Sequence, residues 1–258
     1  MTVPERLFKY QPFDDRSLEN VRRRAIWFSR PASFNDPFDC KIRLDSKPIS
    51  ERELERLFQK QRATVWPKAG WDWADRNWLT SGTPNQRYRD LITATAEQYL
   101  DEYRRHALHD HGVACFSEVG DSLLMWSHYA QGHRGFCLEF ETSLWQFSMA
   151  EQVRYARDIP SVSALDDGFF GKGEHFVEML TMKASCWAYE REWRLFNHRP
   201  DSLEELPAGC IKAVHFGAAM PRANKEQLAS MLAGLEIGLH EFGPSCTAFG
   251  LESQPYMS

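Results

Sequence analysis

The sequence predicts an α+β fold. Helical patterns concentrate before residue 110 and strand patterns dominate after it. The two do not alternate in the strand–helix–strand order that winds a parallel sheet. Of 258 residues, 43% are hydrophobic and 26% charged, ordinary values for a soluble globular chain with a substantial core. The expected organisation is a single α+β domain over residues 1–258, with a mainly helical insertion at about 48–110.

The elements follow in order. "LFKY" (Leu7–Tyr10) reads as a short first strand, followed by a turn at Pro12 to Asp15. Asp14 or Asp15 can cap a helix through "RSLENVRR", whose acidic start suits the helix dipole. "AIWFS" is an apolar second strand, and it runs into "RPASFNDPFDC", crowded with prolines and small polar side chains. Two functions fit that loop: a tight connection in which Asn35 and Asp36 bond local backbone before Pro37, or a rigid ligand-shaped loop on a strand end. "CKIRL" alternates like a half-buried strand. Ser50 and Glu53 form a capping box for "ERELERLFQKQ", where Leu54, Leu57 and Phe58 make one apolar stripe. Trp66, Trp71, Trp73 and Trp78 then sit among Pro, Gly and Asp without one period, as in an aromatic lid or a surface-packed segment. A helix resumes in "RYRDLITATAEQYLDEYRRHAL".

From His111 the texture shortens. "GVACFSE" reads as a strand, Asp121 as the cap of helix "SLLMWSHYA", Gly132 as its end and "RGFCLEFE" as a further strand. "QVRYA" is read as a strand, "EHFVEMLTMKA" as a helix and "YEREWRLF" as an alternating, half-exposed strand. "CIKAVHFG", the helix "RANKEQLASMLAGL" and a final strand and tail complete the chain.

The net charge of −5 provides no general attraction to nucleic acid or to anionic membranes. No run approaches ~18 uninterrupted apolar residues, and "MTVPERLFKY" lacks the pattern of a secretory signal, so a cytoplasmic protein with no membrane partner is expected. Six scattered cysteines, none at C-x-x-C spacing, read as reduced thiols, and no metal is expected. There is no G-x-S-x-G elbow, no phosphate-binding glycine loop and no H-E-x-x-H set.

In a strand, Glu190 and Glu192 project on one side, with Arg194 next to them. Paired carboxylates raise each other's pKa unless cations or hydrogen bonds compensate. The plain alternative is a solvated strand face neutralised by Arg191 and Arg194. His128, close to the turn at Gly132, is the strongest candidate among nine histidines, for catalysis or for substrate contact.

"LFKYQPF", "IWFSRPASFNDPFDC", "GVACFSE", "LLMWSHYAQGHRGFCLEFE" and "WAYEREWRLF", in this order, resemble the bacterial family catalogued as domain of unknown function 2971, from about Leu7 to Phe216. A more distant resemblance is to ADP-ribosyltransferases. The order of "LFKY", "IWFSRPASFNDPF" and "YEREW" is similar to their first strand, their strand–serine–loop segment and their E-x-E strand. At the first motif, where that family typically carries His or Arg, this chain has Lys9 and Tyr10, with Arg6 nearby.

The resemblance implies a split β-sheet core of the ADP-ribosyltransferase kind, carrying the helical, Trp-rich insertion, and NAD as substrate. It implies Glu192 as the catalytic carboxylate and Glu190 as the group that orients or deprotonates the nucleophile. Lys9 and Tyr10 would hold the nicotinamide amide through backbone groups, Ser29 or Ser33 would bond the ribose or Glu192, Phe34 would stack on the nicotinamide, and Asn35 would line the same loop. Trp126, His128 and Arg134 would lie near the acceptor side or the pyrophosphate. The acceptor would be a nucleic acid or a protein. A toxin or phage-defence role, with an antitoxin or immunity partner, is also implied by the resemblance. Two rivals remain: a non-catalytic nucleotide- or partner-binding protein, and a nuclease or other hydrolase using His128 with Glu118 or Glu139.

Overall fold

A computed structural model describes residues 2–45, 49–64, 86–162 and 174–257. The Trp-rich segment 66–78 lies outside the described residues. The chain divides into two compact units. One comprises Met1–Cys40, Leu108–Arg157 and Thr181–Ser258; the other comprises Lys41–Ala107 and Asp158–Leu180.

The first unit is built on an eight-stranded mixed sheet. Its central strands are β1 (Arg6–Gln11), β4 (Gly112–Ser117), β5 (Phe136–Glu141) and β10 (Glu192–Asn197). With β6 (Glu151–Gln152), β12 (Ile211–Phe216), β13 (Gly238–Pro244) and β14 (Leu251–Pro255), the order is β14-β13-β12-β5-β1-β4-β10-β6. Every pairing is antiparallel except β12 with β13. The α+β class expected from the sequence is therefore present as a large mixed sheet with several helices.

Pairing across the sheet explains its two faces. β1 and β5 are in register from Arg6 opposite Glu141 to Gln11 opposite Phe136. β1 and β4 share a single registered pair, Phe8 opposite Ser117, and Ser117 in turn lies opposite Glu192 on β10. The sheet thus opens between β1 and β4, and the Lys9 ammonium donates to the Cys115 carbonyl (2.9 Å), so a side chain satisfies a β4 acceptor. Strand alternation places Leu7, Phe116, Phe140, Trp193 and Leu195 in the main apolar core. Phe116, Phe140 and Phe147 pack there with ring centroids 5.2–5.6 Å apart.

That core is covered by α1 (Asp15–Arg22) through Leu18 and Val21, and by α6 (Arg222–Leu232) through Leu228 and Leu232. Asp14 is the cap of α1, accepting from the Ser17 backbone N–H at 2.8 Å. β2 (Ala25–Phe28) pairs with β11 (Ser202–Glu205) outside the large sheet.

Over the opposite face runs α4 (Leu123–Tyr129), capped by Ser122 rather than by Asp121: the Ser122 hydroxyl is the acceptor for the Met125 N–H. The chain then takes left-handed conformations at Gln131, Gly132 and His133. Gly135 follows, where an added Cβ would lie 2.1 Å from the Gln11 carbonyl oxygen. Only glycine lets this connection close against the end of β1, which keeps α4 above it.

Three other expectations change locally. "QVRYA" divides into β6, paired with β10, and β7 (Arg154–Ala156), paired in parallel with β9 (Met182–Ala184). "EHFVEMLTMKA" is helix only as α5 (Glu174–Leu180); its end is the strand β9. "YEREWRLF" becomes strand at Glu192, because Ser185–Glu190 forms a 3-10 helix that ends in a left-handed Arg191 (φ 45°, ψ 54°).

The second unit contains α2 (Glu51–Thr64) and nearly all of α3 (Gln86–His109). The Ser50–Glu53 capping box forms, with reciprocal bonds of 3.1 and 3.3 Å. Leu54, Phe58, Tyr88 and Ile92 pack together. The strand read in "CKIRL" is confined to β3 (Arg43–Leu44), paired in parallel with β8 (Ser161–Val162). Among the described residues, no helix is long and apolar enough to cross a membrane.

Phe140 is fully buried at the centre of the aromatic trio. Phe140→Ala is expected to lose about 3–5 kcal/mol of unfolding free energy, read by urea denaturation.

Candidate functional site

Where the sheet opens between β1 and β4, a cavity of about 160 Å³ lies against the first unit. Its walls are Phe8, Lys9 and Tyr10 from β1, Phe34, Asn35 and Asp39 from the loop after β2, Cys115, Phe116 and Ser117 from β4, and Met125 and Tyr129 from α4. Lys183, Glu190, Glu192 and Arg194 complete it. Pockets that enclose a whole drug-sized ligand run to roughly 300–1,000 Å³. This one has room for a ring-sized group.

Its chemistry centres on a buried ion network. The Arg194 guanidinium, 0% exposed, donates to both Asp39 oxygens (3.0 and 2.8 Å) and to both Glu192 oxygens (2.8 and 3.0 Å). Lys183 Nζ lies 2.5 Å from Glu190, 3.1 Å from Glu192 and 3.7 Å from Asp39. The Tyr129 hydroxyl donates to Glu190 Oε1 at 2.6 Å, and the Glu192 backbone N–H donates to the Tyr155 hydroxyl at 2.8 Å. Three carboxylates thus meet two cations, leaving one acid in excess within the network.

The two glutamates respond differently. Burial opposes ionisation of Glu192, but Arg194 and Lys183 overcome it and hold its carboxyl well below the usual carboxylate range. Burial raises Glu190; Lys183 counteracts this and Glu192 adds to it, so its carboxyl stays above the usual range. Lys183, whose ammonium burial alone would destabilise, is held charged by Glu192, Glu190 and Asp39. Burial lowers the pKa of Lys9. The two acids are thus pushed in opposite directions, Glu192 toward the carboxylate and Glu190 toward the protonated form.

Among the residues singled out from sequence, Lys9, Tyr10, Phe34, Asn35, Glu190 and Glu192 meet at this cavity. Glu190 ends a 3-10 turn rather than lying in the strand, a left-handed Arg191 separates it from Glu192, and both acids are buried. The Phe34 ring carries the Arg194 guanidinium at 5.3 Å. Ser29 and Ser33 are not among the lining residues: Ser29 pairs through its backbone with Val113, and the Ser33 hydroxyl donates to the Arg30 carbonyl at 2.8 Å. Trp126 is buried behind Tyr10, ring centroids 5.3 Å apart, with its indole N–H on the Gly120 carbonyl. His128 is exposed and bonded to the Tyr189 hydroxyl at 2.9 Å, and Arg134 is exposed. Glu118 accepts from Trp193 and Gln152, and Glu139 pairs with His215 and Arg6. Neither acid is bonded to His128.

Sequence reasoning missed Lys183, Asp39 and Tyr129. Lys183 fell in a stretch read as helix, and Asp39 was absorbed into loop composition. The available signal was the lysine in "TMKAS" closely preceding two acids, which are too many for one strand face to bury unaided.

The site is thus a small aromatic cavity ending on a carboxylate pair locked by buried cations. Residues 125–195, which carry Tyr129, Lys183, Glu190, Glu192 and Arg194, match the family model described as "Protein of unknown function (DUF2971)". No curated protein and no solved structure matches the chain.

Breaking a buried pair by removing one partner is strongly destabilising. Arg194→Leu is expected to cost about 3–5 kcal/mol near neutral pH. Because Glu192 is depressed from 4.5, its stabilising contribution is complete above that value and declines as the pH falls through and below it. The gap between the native protein and Arg194→Leu should narrow below about pH 4.5 in urea titrations.

Proposed function

We propose that this protein is an NAD-dependent ADP-ribosyltransferase-like enzyme whose reaction centre is the cavity between β1 and β4. The observation that carries the proposal is convergence: residues from β1, from the loop after β2 and from the start of β10 line one ring-sized cavity beside two carboxylates. These are the three segments that resemble the transferase motifs. The single registered pair between β1 and β4 is consistent with a split-sheet core of that kind.

The electrostatics suit the chemistry. NAD carries a positively charged nicotinamide ring, and the Glu190 and Glu192 carboxylates line the cavity that would receive it. Phe34 and Tyr10 supply aromatic surface for that ring. When the nicotinamide–ribose bond breaks, its electron pair goes to the ring nitrogen and positive charge develops on the ribose. Glu192, held ionised, stabilises that charge without having to shed a proton first. The acceptor's nucleophile then bonds to the ribose C1′ and its proton passes to Glu190, the carboxylate of higher pKa. The acceptor is a nucleic acid or a protein, and a role as a toxin or defence effector follows from the family resemblance alone.

A second reading is favoured by one specific observation: both Glu192 oxygens are already bonded to Arg194, and one also to Lys183. A protein that only binds a nucleotide would keep such a lock closed. It would show NAD binding by calorimetry with no nicotinamide released.

The enzyme reading is tested by incubating the protein with NAD and cell lysate as the source of acceptor. The native protein should release nicotinamide, and Glu192→Gln should lower the rate by about 10²-fold or more. Equal release from both proteins would sink the claim.

A further inference from the structure

We propose that Lys183 is a positioning residue for this reaction: by bridging Glu190 to Glu192 and Asp39, its ammonium keeps Glu190 ionised and able to accept the nucleophile's proton. The inference rests on the NAD-dependent transfer reading and assigns a role to a residue outside the motifs that suggested it.

Tyr129 from α4 and Lys183 from β9 bond Glu190, and Glu192 from β10, Tyr155 from β7 and Tyr189 on its own turn interact with it, while Arg194 of β10, Asp39 of the loop after β2 and Lys9 of β1 line the same cavity. Tyr129 is a neutral donor, its hydroxyl pushed up first by burial and then by Glu190, so it cannot balance a charge. Arg194 donates to Asp39 and Glu192. Lys9 donates to the Cys115 carbonyl. Among the described residues, Lys183 is the cation bonded to Glu190. It is held in place by the Trp187 ring, 5.1 Å from its ammonium, and by the parallel pairing of Lys183 with Tyr155.

Without this ammonium, Glu190 and Glu192 would be adjacent buried acids with less compensation, and Glu190 would keep its proton to higher pH. The sign follows directly. A base that is ionised only at higher pH moves the acid limb of the rate profile to higher pH.

The experiment compares NAD cleavage against pH for the native protein, K183Q and K183R. The acid-side midpoint of K183Q should rise by about one to three pH units, whatever its maximal rate, and K183R should bring the midpoint back. A uniform loss of rate at every pH, with the midpoint unmoved, would make Lys183 merely structural and overturn the proposal. If the native protein cleaves no NAD, the transferase reading has failed on its own. Lys183 is then judged by carbon-13 NMR titration of the Glu190 carboxyl, its signal assigned with E190Q. An identical Glu190 titration in native protein and K183Q would refute the role. Should K183Q not fold, the same NMR measurement compares K183Q/E192Q with E192Q, so that only the ammonium differs, and an identical Glu190 titration in the two would refute the role.

Discussion

The buried guanidinium of Arg194 is the constraint on which the rest of the site depends. It sits on β10 with no exposed surface and grips Asp39 with two hydrogen bonds, tying the loop after β2 to the central sheet. Phe34 and Asn35 precede Asp39 by only a few residues, so fixing Asp39 fixes the wall they form. A buried ion network of this kind is a weak source of net stability, because the desolvation of each charge offsets much of the attraction. Its effect here is positional: a loop of small polar residues and prolines acquires one location against the sheet.

Around that anchor, the sheet supplies space and the turn before β10 supplies charge. β1 and β4 touch at one registered pair and then separate, which opens a cavity in what would otherwise be continuous ladder. The left-handed Arg191 joins the 3-10 turn to β10, with Glu190 and Glu192 both buried and the arginine between them exposed. Such a conformation is costly for a residue with a side chain and is found where the surroundings over-determine it. Here the surroundings are Lys183 and Tyr129 on one acid and Arg194 on the other.

The outcome is a division between two neighbouring carboxylates, one held as a fixed anion and the other closer to exchanging its proton. Two titratable groups pushed apart by their environments are a common basis for separate catalytic roles. The same division is compatible with a locked binding site, and the occupied oxygens of Glu192 are what keep that alternative in view.

Much of the fold was legible in the residues alone. The apolar runs at "LFKY", "AIWF", "GVACFS" and "FCLEF" are strands because alternation and β-propensity act locally, and Asp14 and Ser50 cap helices for equally local reasons. Glu190, Glu192, Lys9, Tyr10, Phe34 and Asn35 could be singled out because their motifs are short and contiguous. What the sequence by itself determined was this set of pieces and their order. Only the tertiary structure decided that Lys183 belongs to a strand rather than to the end of a helix, that Asp39 is the partner of Arg194, and that Tyr129 reaches Glu190. Those contacts join residues as far as 155 positions apart, and the neutralisation of a buried charge is settled by what surrounds it in space, which no local pattern encodes.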